Sequence, residues 1–142
     1  MKGPSDSLVL WKSDVAEAYQ LLPMHSYWQV KQINTIDGVR YVNRNCAFGG
    51  QRSRDLYITF MGLLLWIAEQ VAGVKEPNAY MDDSFGWDWG SNMVEYSPFQ
   101  RLMPANQQKL LTLLDNLGVP HKPQKQLHGP ILEIIGLLVD AN

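Results

Sequence analysis

The chain has 142 residues, 46% apolar and 18% charged, which supports one packed domain and excludes a disordered chain. A formal net charge of −2 excludes a global basic field for nucleic acid, although a local basic groove can coexist with an acidic centre. The single Cys46 excludes an intrachain disulfide framework and a cysteine-based zinc site, and points to a reducing intracellular compartment, cytoplasmic or nuclear.

Residues 1–7 read as a flexible N-terminal segment, without the pattern of a signal peptide, ahead of one domain over residues 8–142. Residues 8–15 read as a strand that delivers Asp14 near its C-terminal end. Residues 16–22 form a short helical turn ended by Pro23. Residues 28–34 alternate apolar and polar side chains, which predicts a half-buried strand. Asp37-Gly38 is a hairpin signal, with residues 39–43 returning as the paired strand. The glycine loop Ala47-Phe48-Gly49-Gly50 precedes a helix over about residues 53–72, with Leu56, Phe60, Leu63, Leu64, Ile67 and Val71 on its apolar face. Tyr57, Thr59, Glu69 and Gln70 interrupt this stretch, so it reads as a buried helix and not as a membrane span.

Next come Tyr80-Met81-Asp82-Asp83 and Ser84-Phe85-Gly86-Trp87, which read as two strands around an acidic hairpin tip. Residues 91–104 read as a loop. Residues 107–117 form an amphipathic helix carrying Leu110, Leu111, Leu113, Leu114 and Leu117, closed by Gly118. A basic loop with His121, Lys122 and Lys125 leads into two apolar segments, residues 127–132 and 133–140. The order predicts an α+β fold, an antiparallel sheet backed by two helices on one face.

Adjacent carboxylates repel unless a cation or a proton lies between them; two solvated turn aspartates are the plain alternative. In this plan the Asp14 strand lies beside the Asp82-Asp83 hairpin, and three carboxylates meet at one sheet edge. Such a rim suits Mg²⁺, which takes oxygen ligands. Two ions about 3.5–4 Å apart can clamp the attacking and leaving oxygens of a phosphoryl displacement.

These stretches resemble the palm motifs of reverse transcriptases, in the retroviral and retrotransposon form. Asp14-Val15-Ala16-Glu17-Ala18-Tyr19, with Pro23 beyond it, is similar to the first motif. Ala47-Phe48-Gly49 before a long helix resembles the second, and Tyr80-Met81-Asp82-Asp83 the third. Residues 113–125, with Leu117-Gly118 and a downstream lysine, resemble the fourth, and Ile135-Gly136-Leu137 the fifth. The resemblance implies the polymerase palm fold, of the ferredoxin type, and nucleotidyl transfer onto a primer end with two Mg²⁺ or Mn²⁺ ions. Asp14, Asp82, Asp83 and the Val15 carbonyl would be the metal ligands. Tyr19, Phe48, Gly49 and Lys125 would contact the incoming deoxynucleoside triphosphate, and Tyr80, Met81, Arg52 and Arg54 the RNA template and DNA primer. Tyr19 and Phe48 read equally as packing residues, Lys122 and Lys125 as a solvated loop, and the arginines as a solvated face.

The sequence departs from the family at Ser53-Arg54, where a small residue and a proline are usual. The family also places fingers before Asp14 and a thumb after the fifth motif, which implies weak activity for this chain alone. The alternative is a non-catalytic, degenerate or domesticated module that binds nucleic acid or protein. Palm surface that fingers and thumb normally cover would also favour self-association.

Overall fold

The alternation Leu-Val-Leu-Trp-Lys-Ser-Asp-Val gives strand β1 (Leu8–Val15), with Trp11, Ser13 and Val15 buried and Lys12 and Asp14 on the other face. The computed structural model describes residues 7–47 and 52–142; the glycine loop expected at Phe48, Gly49 and Gly50 lies outside them. The elements that follow are α1 (Ser26–Gln29), β2 (Ile33–Ile36), β3 (Val39–Val42) and α2 (Ser53–Gln70). Then come β4 (Asn78–Tyr80), β5 (Asp83–Trp89), β6 (Met93–Tyr96), β7 (Arg101–Pro104), α3 (Ala105–Leu117), β8 (His121–Gly129), β9 (Ile131–Ile134) and β10 (Leu137–Asp140). The fold is α+β, and the chain forms two compact units: residues 1–16 with 61–142, and Glu17–Phe60.

The first unit is built on a four-stranded sheet in the order β4-β5-β1-β8. β1 pairs antiparallel with β5, setting Trp11 opposite Gly86, Ser13 opposite Ser84 and Asp14 opposite Asp83. α3 packs against β1 and β5. Its Gln107, fully buried, donates to the Lys12 carbonyl at 3.0 Å, Ser13 Oγ at 3.2 Å and the Leu127 carbonyl at 3.2 Å. Ser13 therefore faces the helix, and period two turns Asp14 to the opposite face. Leu110, Leu111 and Leu114 of α3 are buried, whereas Leu117 is half exposed. The helix starts where the buried Asp88 carboxylate accepts from the Asn106 N–H at 2.8 Å, a tertiary cap. It ends at Gly118, whose φ of 69° closes the last turn.

Residues 91–104, expected as a loop, form the β6–β7 hairpin, with Met93 opposite Pro104 and Tyr96 opposite Arg101. The basic residues His121, Lys122 and Lys125 lie within β8, not in a loop. The last hairpin is β9–β10, turning at Ile135 and Gly136, both at positive φ.

In the second unit a 3-10 turn (Ala18–Leu21) precedes Pro23, as the sequence implies. The strand expected over residues 28–34 does not form. α1 occupies its start, because His25 Nδ1 accepts from the Tyr27 N–H at 3.3 Å and Gln29 Nε2 donates to the Met24 carbonyl at 2.7 Å. Local side-chain bonds of this kind override a short alternating pattern. β2 starts at Ile33 and pairs with β3 across Asp37-Gly38, both at positive φ, and every residue of the two strands is exposed.

α2 begins in the second unit and ends in the first. Its buried positions are Ser53, Tyr57, Met61, Leu64 and Ala68, while Leu56, Leu63 and Val71 of the expected face are exposed. The face is rotated relative to the expectation. No helix among the described residues is long and apolar enough to cross a membrane.

Candidate active site

The register of β1 and β5 makes Asp14 and Asp83 direct cross-strand neighbours on the face away from α3. Like charges in such a pair destabilise a sheet unless neutralised. Here each carboxylate has an ammonium partner: Lys125 Nζ lies 3.1 Å from Asp14 Oδ2, and Lys12 Nζ lies 2.9 Å from Asp83 Oδ2. Asp82 is exposed in the two-residue turn between Tyr80 and Asp83, which are themselves paired. The Val15 N–H donates to the Asp82 carbonyl at 3.4 Å, fastening the turn to the end of β1. Met81 takes a φ of 56° in this turn.

Asp14 is 16% exposed at its side chain, and its second oxygen, Oδ1, is buried without a hydrogen-bond partner. A buried carboxylate oxygen without a donor is costly. The ion pair raises the pKa of the exposed Lys125 above its ordinary value, through the hydrogen bond to Asp14, then the Asp14 charge, with smaller contributions from Asp83 and Asp82.

A bulge places Lys125 here. Between the pairs Ser13–Gln126 and Val15–His121, β1 advances two residues and β8 five. Gln126, fully buried, spans the distortion: its Nε2 donates to the Asp14 carbonyl at 3.2 Å and the Lys122 carbonyl at 3.1 Å. At the end of the bulge His121 Nε2 lies 2.8 Å from Asp115 Oδ1, Tyr96 Oη donates to Asp115 Oδ2, and Phe99 packs edge-on to both rings. Burial, then the hydrogen bond and charge of Asp115, raises the Tyr96 pKa.

Asp14, Val15, Tyr80, Met81, Asp82, Asp83 and Lys125 thus share one rim of the first unit. Their side chains do not form a ready cage: among the described residues no group of three or more His, Cys, Asp or Glu is placed to hold a metal ion. Tyr19, Arg52 and Arg54 belong to the second unit, where Tyr19 packs 5.2 Å from the Tyr57 ring and both arginines are exposed. Phe48 and Gly49 lie outside the described residues. Lys12 and Gln126 were not among the expected site residues. Lys12 carried a signal, since period two puts it on the face of Asp14; Gln126 carried none.

No protein-family model and no curated protein sequence matches this chain. Among solved structures it is similar to the foamy viral protease-reverse transcriptase in complex with RNA/DNA hybrid, with TM-score 0.70 and 16% identity over 94% of this chain and 16% of that one. The same viral protein in complex with dsDNA gives TM-score 0.70 and 15% identity, covering 93% of this chain and 25% of the other. A prototype foamy virus protease-reverse transcriptase mutant gives 0.72 and 16%, covering 96% and 17%. The chain therefore spans a quarter or less of each of these proteins, and at this identity the likeness establishes a reverse-transcriptase-like fold.

Proposed function

We propose that this chain is the palm of an RNA-directed DNA polymerase, carrying the acidic centre for two-metal nucleotidyl transfer onto a primer end. The observation that supports it best is the cross-strand pairing of Asp14 with Asp83 beside Asp82. The residues fit a hard cation: Asp14 Oδ1 is a buried oxygen without a partner, and the paired lysines mark a rim that demands positive charge. Asp14, Asp82, Asp83 and the Val15 carbonyl would hold Mg²⁺ or Mn²⁺, which when bound would activate the primer hydroxyl and neutralise the phosphates.

In this reading Lys125 would leave Asp14 when the site is filled and turn to the departing pyrophosphate, a lysine ammonium being charged at neutral pH without the Asp14 pair. Lys12 stays on Asp83 and fixes the strand end. Tyr80 and Met81 contact the primer, while Arg52 and Arg54 contact the template strand. Tyr19, Phe48 and Gly49 line the nucleotide pocket, as the resemblance implies.

The second reading, a palm-fold module without catalysis, is favoured by the same ion pairs. Lysines already neutralise Asp14 and Asp83. Titration with Mn²⁺ separates the two. The polymerase reading expects saturable binding that Asp14→Asn and Asp82→Asn each weaken at least about tenfold, since each removes one of few charged ligands. It also expects extension of a DNA primer on an RNA template once any separate fingers and thumb chains are supplied. Wild-type protein that does not bind Mn²⁺ sinks the polymerase reading.

A further inference from the structure

The acidic rim of the first unit carries cations of its own. Asp14, Asp82 and Asp83 bring three negative charges, and Lys125 on Asp14 and Lys12 on Asp83 return two, which leaves one net negative charge. A divalent ion added to the rim in this state would make it positive overall, with two ammonium groups close by to repel it. Once one ammonium withdraws, the rim carries two negative charges and matches a single divalent ion.

Which lysine can withdraw follows from how each is held. Lys12 sits inside β1, opposite Phe85 of β5 on one side and Leu127 of β8 on the other, and its side chain is 22% exposed. Lys125 lies one residue past the last regular β1–β8 pair, Ser13 with Gln126, where the ladder enters the bulge, and its side chain is 63% exposed. Its flexible stem can carry the ammonium into solvent without uncovering the core, and an ion pair this exposed holds weakly. The backbone beneath stays in place, because the buried Gln126 amide donates to the Asp14 and Lys122 carbonyls. Lys125 therefore remains tethered within reach of Asp14 when unpaired, at a high effective concentration.

We infer that Lys125 is a tethered counter-ion that a divalent cation must displace from Asp14, so that this lysine sets the cation affinity of the rim while Lys12 stays on Asp83. The inference rests on the metal site of the polymerase reading and adds its regulation. Asp14 presents two unlike oxygens to an incoming ion: Oδ2, which Lys125 occupies, and Oδ1, which is buried without a donor.

Titration of the full chain with Mn²⁺ at pH 7, the free ion read by electron paramagnetic resonance, tests it. Lys125→Met should bind Mn²⁺ about two- to fivefold more tightly than wild type, the equivalent of one exposed ion pair. Lys125→Arg, which restores the charge, should bind no more tightly than wild type. A second readout follows the lysines themselves. Acylation of Lys125 by an N-hydroxysuccinimide ester, read by peptide mass spectrometry, should quicken as Mn²⁺ saturates the wild-type protein, whereas acylation of Lys12 should not. Circular dichroism of each variant establishes that it is folded. Equal Mn²⁺ affinity of wild type and Lys125→Met, both binding, overturns the inference and leaves the polymerase reading intact. So does a Lys125 acylation rate that saturating Mn²⁺ leaves unchanged. Mn²⁺ bound by Lys125→Met and not by wild type supports the inference and sinks the polymerase reading. Binding by neither overturns both.

Discussion

The indole of Trp11 lies against the backbone of its cross-strand partner Gly86, where an added Cβ would meet Trp11 Cζ2 at 2.6 Å. Trp11 is fully buried and donates to the Trp87 carbonyl at 3.3 Å, so it has little freedom to yield. Gly86→Ala should lose about 1–3 kcal/mol of stability, the usual penalty of overpacking. An unchanged urea midpoint would contradict it. This tryptophan also orders β1, and through it Asp14. The acids themselves were legible in the sequence, because a hairpin signal and an alternating strand carry them. The lysine on Asp14 was not, since its placement depends on a bulge spanned by the buried Gln126, which has no local signature. Buried amides hold such distortions by satisfying carbonyls that the ladder leaves open.

At the scale of elements, α2 shows where periodicity stops being informative. Residues 53–70 are apolar almost all round, so several faces satisfy a helical repeat. Burial selects Tyr57, Met61, Leu64 and Ala68 and leaves Leu63 and Trp66 exposed. Met61→Ala and Leu64→Ala should each lose about 2–5 kcal/mol, and Leu63→Ala no more than about 0.5 kcal/mol, in chemical denaturation. Equal losses at Leu63 and Leu64 would show that the helix is rotated from the face described. β6 and β7 were unreadable for a different reason: Pro98 and Pro104, with Ser91 and Asn92, are turn residues that outweigh two four-residue strands. β1, β5 and α3 were legible because alternation, glycine and leucine spacing agree there with the tertiary packing.

For the whole molecule, one pH-dependent contribution comes from the partly buried His128. Burial, and secondarily the charge of Arg101, lowers the His128 pKa from its ordinary 6.5. The unfolded chain then binds more protons than the folded one below that value. Stability is therefore complete above 6.5 and falls as pH drops through it towards the lowered folded value. His128→Gln should flatten the stability profile between about pH 7 and 5, measured by urea unfolding at each pH; an unaltered slope would remove His128 as its source. Lys125 acts with the opposite sign. Its raised pKa contributes stability that is present below 10.5 and lost only in alkali, as pH rises through the folded value.

The φ of 56° at Met81 has a consequence for how this chain would change under relaxed selection. A left-handed backbone costs most side chains about 1–2 kcal/mol, and asparagine and glycine less. Random substitution at a tip that mattered only for folding would drift towards those two residues. Met81→Asn should accordingly raise the melting temperature by the few degrees that a fraction of this strain represents, and a lower melting temperature would mean that the methionine side chain offsets its own backbone. The residue at the tip is thus set by a contest between side-chain packing and backbone strain, and that one substitution measures it.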